Sequence, residues 1–268
     1  MDPFFLLSLV TLGAFVGFMA GLMGVGGGGI MVPMLTTIFL WQGMPVEQVV
    51  HLALGTSMAS IVITSFSSLR AHHKKGGVRW PVVKLMTPGI IVGTFLSTFL
   101  VSHLNPIFLS GFFAFFMLCI AIQMFIGATP PAHKSLPGKL GLSFTGSVIG
   151  GISALVSIGG GALSVPFLVW RNVDVKQAIG TSAALGFPIA LSGALGYIIN
   201  GIGVNEGDNL TLGYIYLPAV IAISVISVFF APLGVKMNYR LPVGLIKKLF
   251  AILLFGLSVK MFISVFTA

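Results

Sequence analysis

The chain has 268 residues, 56% of them apolar and only 7% charged, against about 25% charged in ordinary soluble domains, so it cannot build a water-facing surface. Soluble domains are thereby excluded, and at roughly 20 residues per spanning helix the length accommodates about eight to ten membrane segments. The net charge of +9 does not signal a nucleic-acid partner, because Lys and Arg stand between apolar runs and form no basic tract with interleaved aromatics; the excess reads as topogenic.

The expected fold is all-α and integral to the membrane, its elements being apolar runs bounded by Gly, Pro, Asn or charge. The first, 4–22, follows a start that holds Asp2 but no Lys or Arg in its first twenty residues. It lacks the basic entry of a secretory signal peptide and is expected to stay as the first membrane segment. A glycine cluster separates it from 30–41. After 49–69 comes the densest basic cluster, R-A-H-H-K-K-G-G-V-R at 70–79, expected as a cytoplasmic loop. Next come 81–102 and 106–127, the latter holding Cys119, the single cysteine, so no disulfide forms within the chain. A polar stretch with Pro130, Pro131 and Pro137 marks a seam. Beyond it lie 140–158, a second glycine cluster, then 162–170, 177–199, 213–235 and 244–266. Two runs are too short to span: 30–41 reaches about 18 Å and 162–170 about 14 Å, against roughly 30 Å of hydrocarbon.

Both short runs follow a glycine cluster, and the clusters belong to an internal repeat. Residues 24–33 read G-V-G-G-G-G-I-M-V-P and residues 157–166 read S-I-G-G-G-A-L-S-V-P. Gly17 matches Gly150 at the same offset, Gly55-Thr56-Ser57 matches Gly180-Thr181-Ser182 after a shorter connection, and Q-M-F-I from Gln123 matches K-M-F-I from Lys260. The organisation expected is a first membrane repeat at 1–127, a linker at 128–139 and a second repeat at 140–268.

Charge decides how the glycine segments cross. If each cluster merely interrupted one helix, the halves would be parallel four-pass units and the basic loops 70–79 and 236–248 would face opposite sides. If each cluster turns the chain back, every basic residue of the 14 except Lys260 lies inside, while Asp2, Glu47, Glu206 and Asp208 lie outside. The hairpin reading follows. Five segments per half is an odd number, so the two repeats are inverted, both termini face outside the cytoplasm, and the glycine turns approach the interior from opposite leaflets, as in many secondary transporters.

Consecutive glycines in lipid leave backbone N–H and C=O groups that protein, water or a ligand must satisfy, at several kcal/mol each. Pro33 and Pro166 suit the first turn of a following short helix, where a missing N–H costs little, so each glycine loop opens a helix N-terminus. Such termini carry free donors and partial positive charge and attract anions without a full cation in the bilayer. The candidate substrate-binding residues are therefore Gly26, Gly27, Gly28 and Gly29 with Gly159, Gly160 and Gly161. Thr56, Ser57, Thr181 and Ser182, early in the next helices, supply hydroxyl donors or else bond carbonyls within the bundle. Gly89, Gly93 and Gly146 read as close helix packing. Lys260, inside an apolar run, is a site candidate by default with Gln123 as its repeat partner, though it can also snorkel to the interface. His51, matched by Lys176, reads as a helix-end residue and is the candidate for proton coupling.

Two G-x-G-G-G-like hairpins ending in V-P, each followed by a G-T-S helix, resemble the TauE/SafE family of sulfite and organosulfur-anion exporters over nearly the whole chain. The resemblance implies an inner-membrane carrier of sulfite, sulfoacetate or a related anion with the glycine hairpins and Thr-Ser pairs at its core. One departure is that Gly161-Ala162 stands where the first half has Gly28-Gly29. An intramembrane serine hydrolase is disfavoured, because Ser192-Gly193 lacks a G-x-S-G setting and the histidines lie at segment ends or in loops. Metal transport is disfavoured by carboxylates confined to loops and termini and by the lone Cys119. No cofactor is expected. The partners expected are a small anion, lipid and a second copy of the chain, and the alternative to a carrier is a passive anion channel.

Overall fold

A computed structural model describes residues 3–126, 135–203 and 210–267. They form helices α1 (Pro3–Met23), α2 (Gly28–Trp41), α3 (Val46–Lys74), α4 (Trp80–Ser102), α5 (Pro106–Ile126), α6 (Lys139–Val156), α7 (Gly161–Trp170), α8 (Val175–Asn200), α9 (Leu217–Arg240) and α10 (Val243–Thr267), with a small hairpin of β1 (Thr211–Leu212) and β2 (Ile215–Tyr216) before α9. Seven of them, α1, α3, α4, α5, α6, α8 and α9, are long and apolar enough to cross a bilayer. The chain is an all-α, multi-pass integral membrane protein.

Each expected apolar run is a helix, with three corrections. The run at 213–235 starts in the hairpin, where Thr211 pairs with Tyr216 and Leu212 with Ile215. The basic cluster is not all loop: α3 continues through Lys74, because nothing breaks the helix before Gly76-Gly77. The short helices also open earlier than their prolines, at Gly28 and Gly161, which places Pro33 and Pro166 in the second turn. The linker 128–139 falls mostly outside the described residues, as do Asp2, Lys134, Glu206 and Asp208.

The two short helices stop in the same way. Gly43, at φ 75°, and Asn172, at φ 62°, adopt the left-handed conformation that ends helices. Gly43 N–H donates to Leu40 O and Met44 N–H to Phe39 O; Asn172 N–H donates to Val169 O and Val173 N–H to Leu168 O.

The chain turns back at both glycine clusters. Phe5 near the start of α1 and Phe39 near the end of α2 both meet the ring of Tyr216, with centroids 6.2 and 5.6 Å away. In the second half, Arg171 just past α7 donates from Nη1 to the carbonyl of Ser135, ahead of α6, at 3.3 Å. A helix merely interrupted by glycine would place these ends on opposite sides.

Helix α1 packs along α9, and α6 along α4. Both pairs are parallel, with Gly13, Gly17 and Gly21 against Ile223, Ser227 and Ala231, and Gly146 and Gly150 against Met86 and Ile90. Glycine lets these backbones touch, and Gly89 and Gly93 do the same against Ser143 and Ser147. The repeat-equivalent helices α3 and α8 run antiparallel, Gly186 lying against Ser65 and Gly193 against Met58. So do α5 and α10: Ser258 Oγ donates to Ala114 O at 2.7 Å, while Phe125 shares a crevice with Ala251 and Phe255.

Candidate functional site

The two glycine turns meet in backbone contact. Gly27 and Gly160 are the N-caps of α2 and α7, at φ 83° and 80°, and neither helix start has a side-chain cap. This is a conformation an L side chain rarely adopts, and a glycine cap leaves the first N–H groups of each helix without a side-chain acceptor. A Cβ on Gly26 would lie 2.9 Å from Gly159 Cα, and the reverse distance is also 2.9 Å. Gly159 N–H donates to Val25 O at 3.0 Å. A Cβ on Gly28 would strike the Ser157 carbonyl, and one on Gly161 would strike Val25 Cα and crowd the Gly24 carbonyl. Gly28 and Gly161 thus play matched roles. Gly29 differs, since a Cβ there meets the flexible end of Met117 and, at ordinary contact distance, Ile158, and its counterpart Ala162 already carries one.

Helices α3 and α8 flank this contact through equivalent faces. Ile61 touches Gly26 and Gly28, and Gly186 approaches the Gly159 carbonyl. Ser182 Oγ donates to Gly24 O at 3.1 Å, and Ser164 Oγ sits 2.6 Å from Gly160 O and 2.9 Å from Ser182 Oγ. Ser157, held at φ 46° where the first half has Gly24, donates to Leu54 O at 3.1 Å. Ser57, the counterpart of Ser182, is fully buried and its hydroxyl has no hydrogen-bond partner. It lies between Leu54 and Ile61 on the stripe of α3 that faces the turns.

The Gly-Thr part of each G-T-S motif does different work. Thr56 Oγ1 accepts the backbone N–H of Tyr216 at 2.9 Å, and Thr181 Oγ1 accepts that of Arg79 at 3.0 Å. Tyr216 and Arg79 are the N-caps of α9 and α4. One residue earlier, Gly55 and Gly180 admit the backbone carbonyls of Tyr214 and Gly77. Each Gly-Thr pair therefore clamps the segment that leads into a helix of the other half. Thr56→Val or Thr181→Val, which removes the hydroxyl that accepts the Tyr216 or Arg79 N–H, is expected to destabilise the protein by about 0.5–1.5 kcal/mol, read as a lower melting temperature in detergent; unchanged melting would remove the clamp.

The remaining sequence candidates lie apart from the turns. His51 Nε2 sits 3.1 Å from Val101 O, and its ring lies 5.3 Å from that of Tyr214. Its counterpart Lys176 donates to Tyr239 O at 3.5 Å. Each thus meets a carbonyl in the last turn of α4 or α9, where the negative helix end favours a cation. Lys260 is exposed on a groove of roughly 510 Å³ between α1, α2 and α10, lined with Thr11, Met34, Thr37 and Trp41 among others. Gln123 is exposed on α5, and the antiparallel α5–α10 pairing sets it at the other end from Lys260.

Side chains that sequence reasoning missed serve the carbonyls at the end of α1. His72 Nε2 is 3.1 Å from Gly21 O, Asn238 Nδ2 donates to Leu22 O at 2.6 Å, and Ser68 Oγ donates to Ala20 O at 3.4 Å. In the second half Tyr197 donates from its hydroxyl to Ala154 O at 2.9 Å. His72 and Tyr197 are separated by the same offset as the two G-T-S motifs, which was the available signal.

The family described as "Sulfite exporter TauE/SafE" matches residues 9–261. A Haemophilus influenzae protein named "Probable membrane transporter protein" is 37% identical over 264 residues, covering 97% of this chain and 98% of that protein. A protein so named from Methanocaldococcus jannaschii is 29% identical over 237 residues, with 87% and 86% covered, and one from Bacillus subtilis is 29% identical over 197 residues, with 69% and 76% covered. No solved structure matches.

Proposed function

The chain belongs to the sulfite exporter TauE/SafE family and is a membrane transporter, and on that footing we propose that it is a secondary carrier exporting a small sulfur-containing anion, such as sulfite or sulfoacetate, across the cell inner membrane. The observation that carries the reading is the meeting of two uncapped helix N-termini, α2 and α7, through their glycine turns. Their N–H groups, with the unpartnered Ser57 hydroxyl and Ser182 once it releases the Gly24 carbonyl, form an anion site whose charge complement is dipolar. Lys260 gathers anions at the mouth of the α1–α2–α10 groove, and Gln123 is the uncharged counterpart at the other end.

Admitting an anion requires the turns to part, which breaks the Gly159–Val25 hydrogen bond, a net cost on the order of 1 kcal/mol. Rocking of one hairpin against the other then exposes the site to each side in turn. The antiparallel course of α3 against α8, and of α5 against α10, supports inverted halves, and the distribution of Lys and Arg supports both termini outside.

The substrate is tested by reconstituting the protein in liposomes and following sulfite, sulfoacetate, thiosulfate and chloride. Saturable flux of a sulfur oxyanion is expected, and an unsaturable chloride current would replace the carrier with a channel. Orientation is tested after replacing Cys119. Gln42→Cys should react with an impermeant thiol reagent from outside, and Lys75→Cys and Pro242→Cys from inside; labelling of the last two from opposite faces would remove the inverted arrangement.

A further inference from the structure

Helix α1 ends at Met23 inside the bundle, where Gly24 N–H still reaches Ala20 O at 2.9 Å but the carbonyls beyond it lack helical donors and cannot be left bare in a membrane. Ser68, His72, Asn238 and Ser182 supply donors to the carbonyls of Ala20, Gly21, Leu22 and Gly24. One of these is ionisable. His72 is fully buried, and because a carbonyl only accepts, its Nε2 carries a proton; Nδ1, 3.5 Å from the Tyr239 hydroxyl, is then the basic nitrogen of the neutral ring. In the other half the same duty falls to Tyr197 on Ala154 O, a phenol that stays neutral at physiological pH. Two equivalent carbonyl caps thus differ in a single property: one can take up a proton.

A proton on Nδ1 would place an imidazolium at the negative end of α1, the polarity a helix C-terminus favours. Among the described charged residues around it only Asp174 is anionic; Arg70 of α3 and Lys236 and Arg240 of α9 are exposed cations. Helices α1, α2 and α5 present no Asp, Glu, Lys or Arg. From α9 comes Tyr239, whose ring lies 5.8 Å from Lys176 Nζ of α8; Asp174 at the start of α8 acts on Tyr239. On α3 and its following loop, His73, Lys74, Lys75 and Arg79 are exposed. Gly21 is three residues from Gly24, whose carbonyl Ser182 holds and where only a glycine at 161 leaves room, so a stronger grip on Gly21 acts on the first glycine turn.

We propose that His72 is the proton-binding site through which a pH gradient drives the carrier, acting on the glycine turn through the end of α1. The proposal rests on the carrier reading and deepens it. Labelled sulfite movement is measured in proteoliposomes with and without an imposed pH gradient for wild type, His72→Gln, His72→Tyr and His51→Gln. Gln and Tyr both keep a donor for Gly21 O, and Tyr copies the second half. In wild type the gradient should change the initial rate at least roughly fivefold, the low end of ordinary site-to-site coupling. Both His72 variants should keep sulfite exchange without a gradient and lose the gradient response, and His51→Gln should keep both. A gradient response retained without His72, or lost only without His51, overturns the proposal. Absence of any wild-type flux overturns the carrier reading instead. Independently, nitrogen-15 NMR of histidine-labelled wild-type protein, assigned by removing the other four histidines in turn, should show His72 titrating between pH 4 and 8. A ring that stays neutral across that range sinks the proposal, whatever any anion does.

Discussion

Gly28→Ala and Gly161→Ala should each lower sulfite flux by at least roughly a hundredfold, the scale on which misplacement by about 1 Å acts at a functional site, whereas Gly29→Ala should leave it within about twofold. The added group is one methyl in each case, and what it meets decides the outcome. At Gly28 the methyl strikes the Ser157 carbonyl, and at Gly161 it strikes Val25 Cα; both obstacles are backbone of the opposite turn, which cannot rotate away. At Gly29 it meets the terminal methyl of Met117, which has other rotamers, and the second half already accepts Ala162. Membrane insertion should survive in all three variants, because the packing of α1 on α9 and α6 on α4 lies elsewhere. Normal flux in Gly28→Ala would separate the glycine contact from function.

Gly17→Leu and Gly150→Leu should fail at an earlier stage and prevent a stable bundle. A Cβ on Gly17 would lie 2.6 Å from Ser227 Cα, and one on Gly150 would lie 2.7 Å from Ile90 O, before any larger atom is added. Ordinary overpacking costs about 1–3 kcal/mol; here two backbones must separate along a parallel helix pair, so the expected loss exceeds about 3 kcal/mol, against total stabilities of about 5–15 kcal/mol. The check is thermal unfolding and size-exclusion profile in detergent, with Gly111→Leu, where nothing lies within 4 Å, as the control expected to match wild type. A monodisperse Gly17→Leu protein with unchanged melting would show that the interface tolerates separation.

Sequence and structure agree where hydrophobic run length and glycine placement set the outcome. Ten apolar runs became ten helices among the described residues, and the folding back at both glycine clusters followed from where Lys and Arg lie, since positive charge is costly to carry across a bilayer. What the sequence concealed depends on contacts between halves. Thr56 and Thr181 were legible as a repeated polar pair, but nothing local says that their hydroxyls accept N–H groups from Tyr216 and Arg79, which lie 160 and 102 residues away in the chain. His72 was hidden by its neighbours: inside R-A-H-H-K-K it reads as a solvated loop residue, whereas the helix carries it inward to Gly21. The β1–β2 hairpin escaped because two-residue strands have no detectable period. For the glycine turns, the repeat announced two loops, yet their direct contact at Gly26 and Gly159 required the three-dimensional pairing of α3 with α8.

In the proposed cycle an anion is held between the two glycine-turn helix starts and released alternately to each side. Counterflow tests it most directly: liposomes containing the purified protein are loaded with unlabelled sulfite, diluted into labelled sulfite, and compared with empty liposomes. A carrier should give a transient accumulation of label above equilibrium in the loaded vesicles, lost in Gly28→Ala. Uptake that is the same whether or not sulfite is inside would contradict it, because a pore has no carrier whose return the internal anion can accelerate.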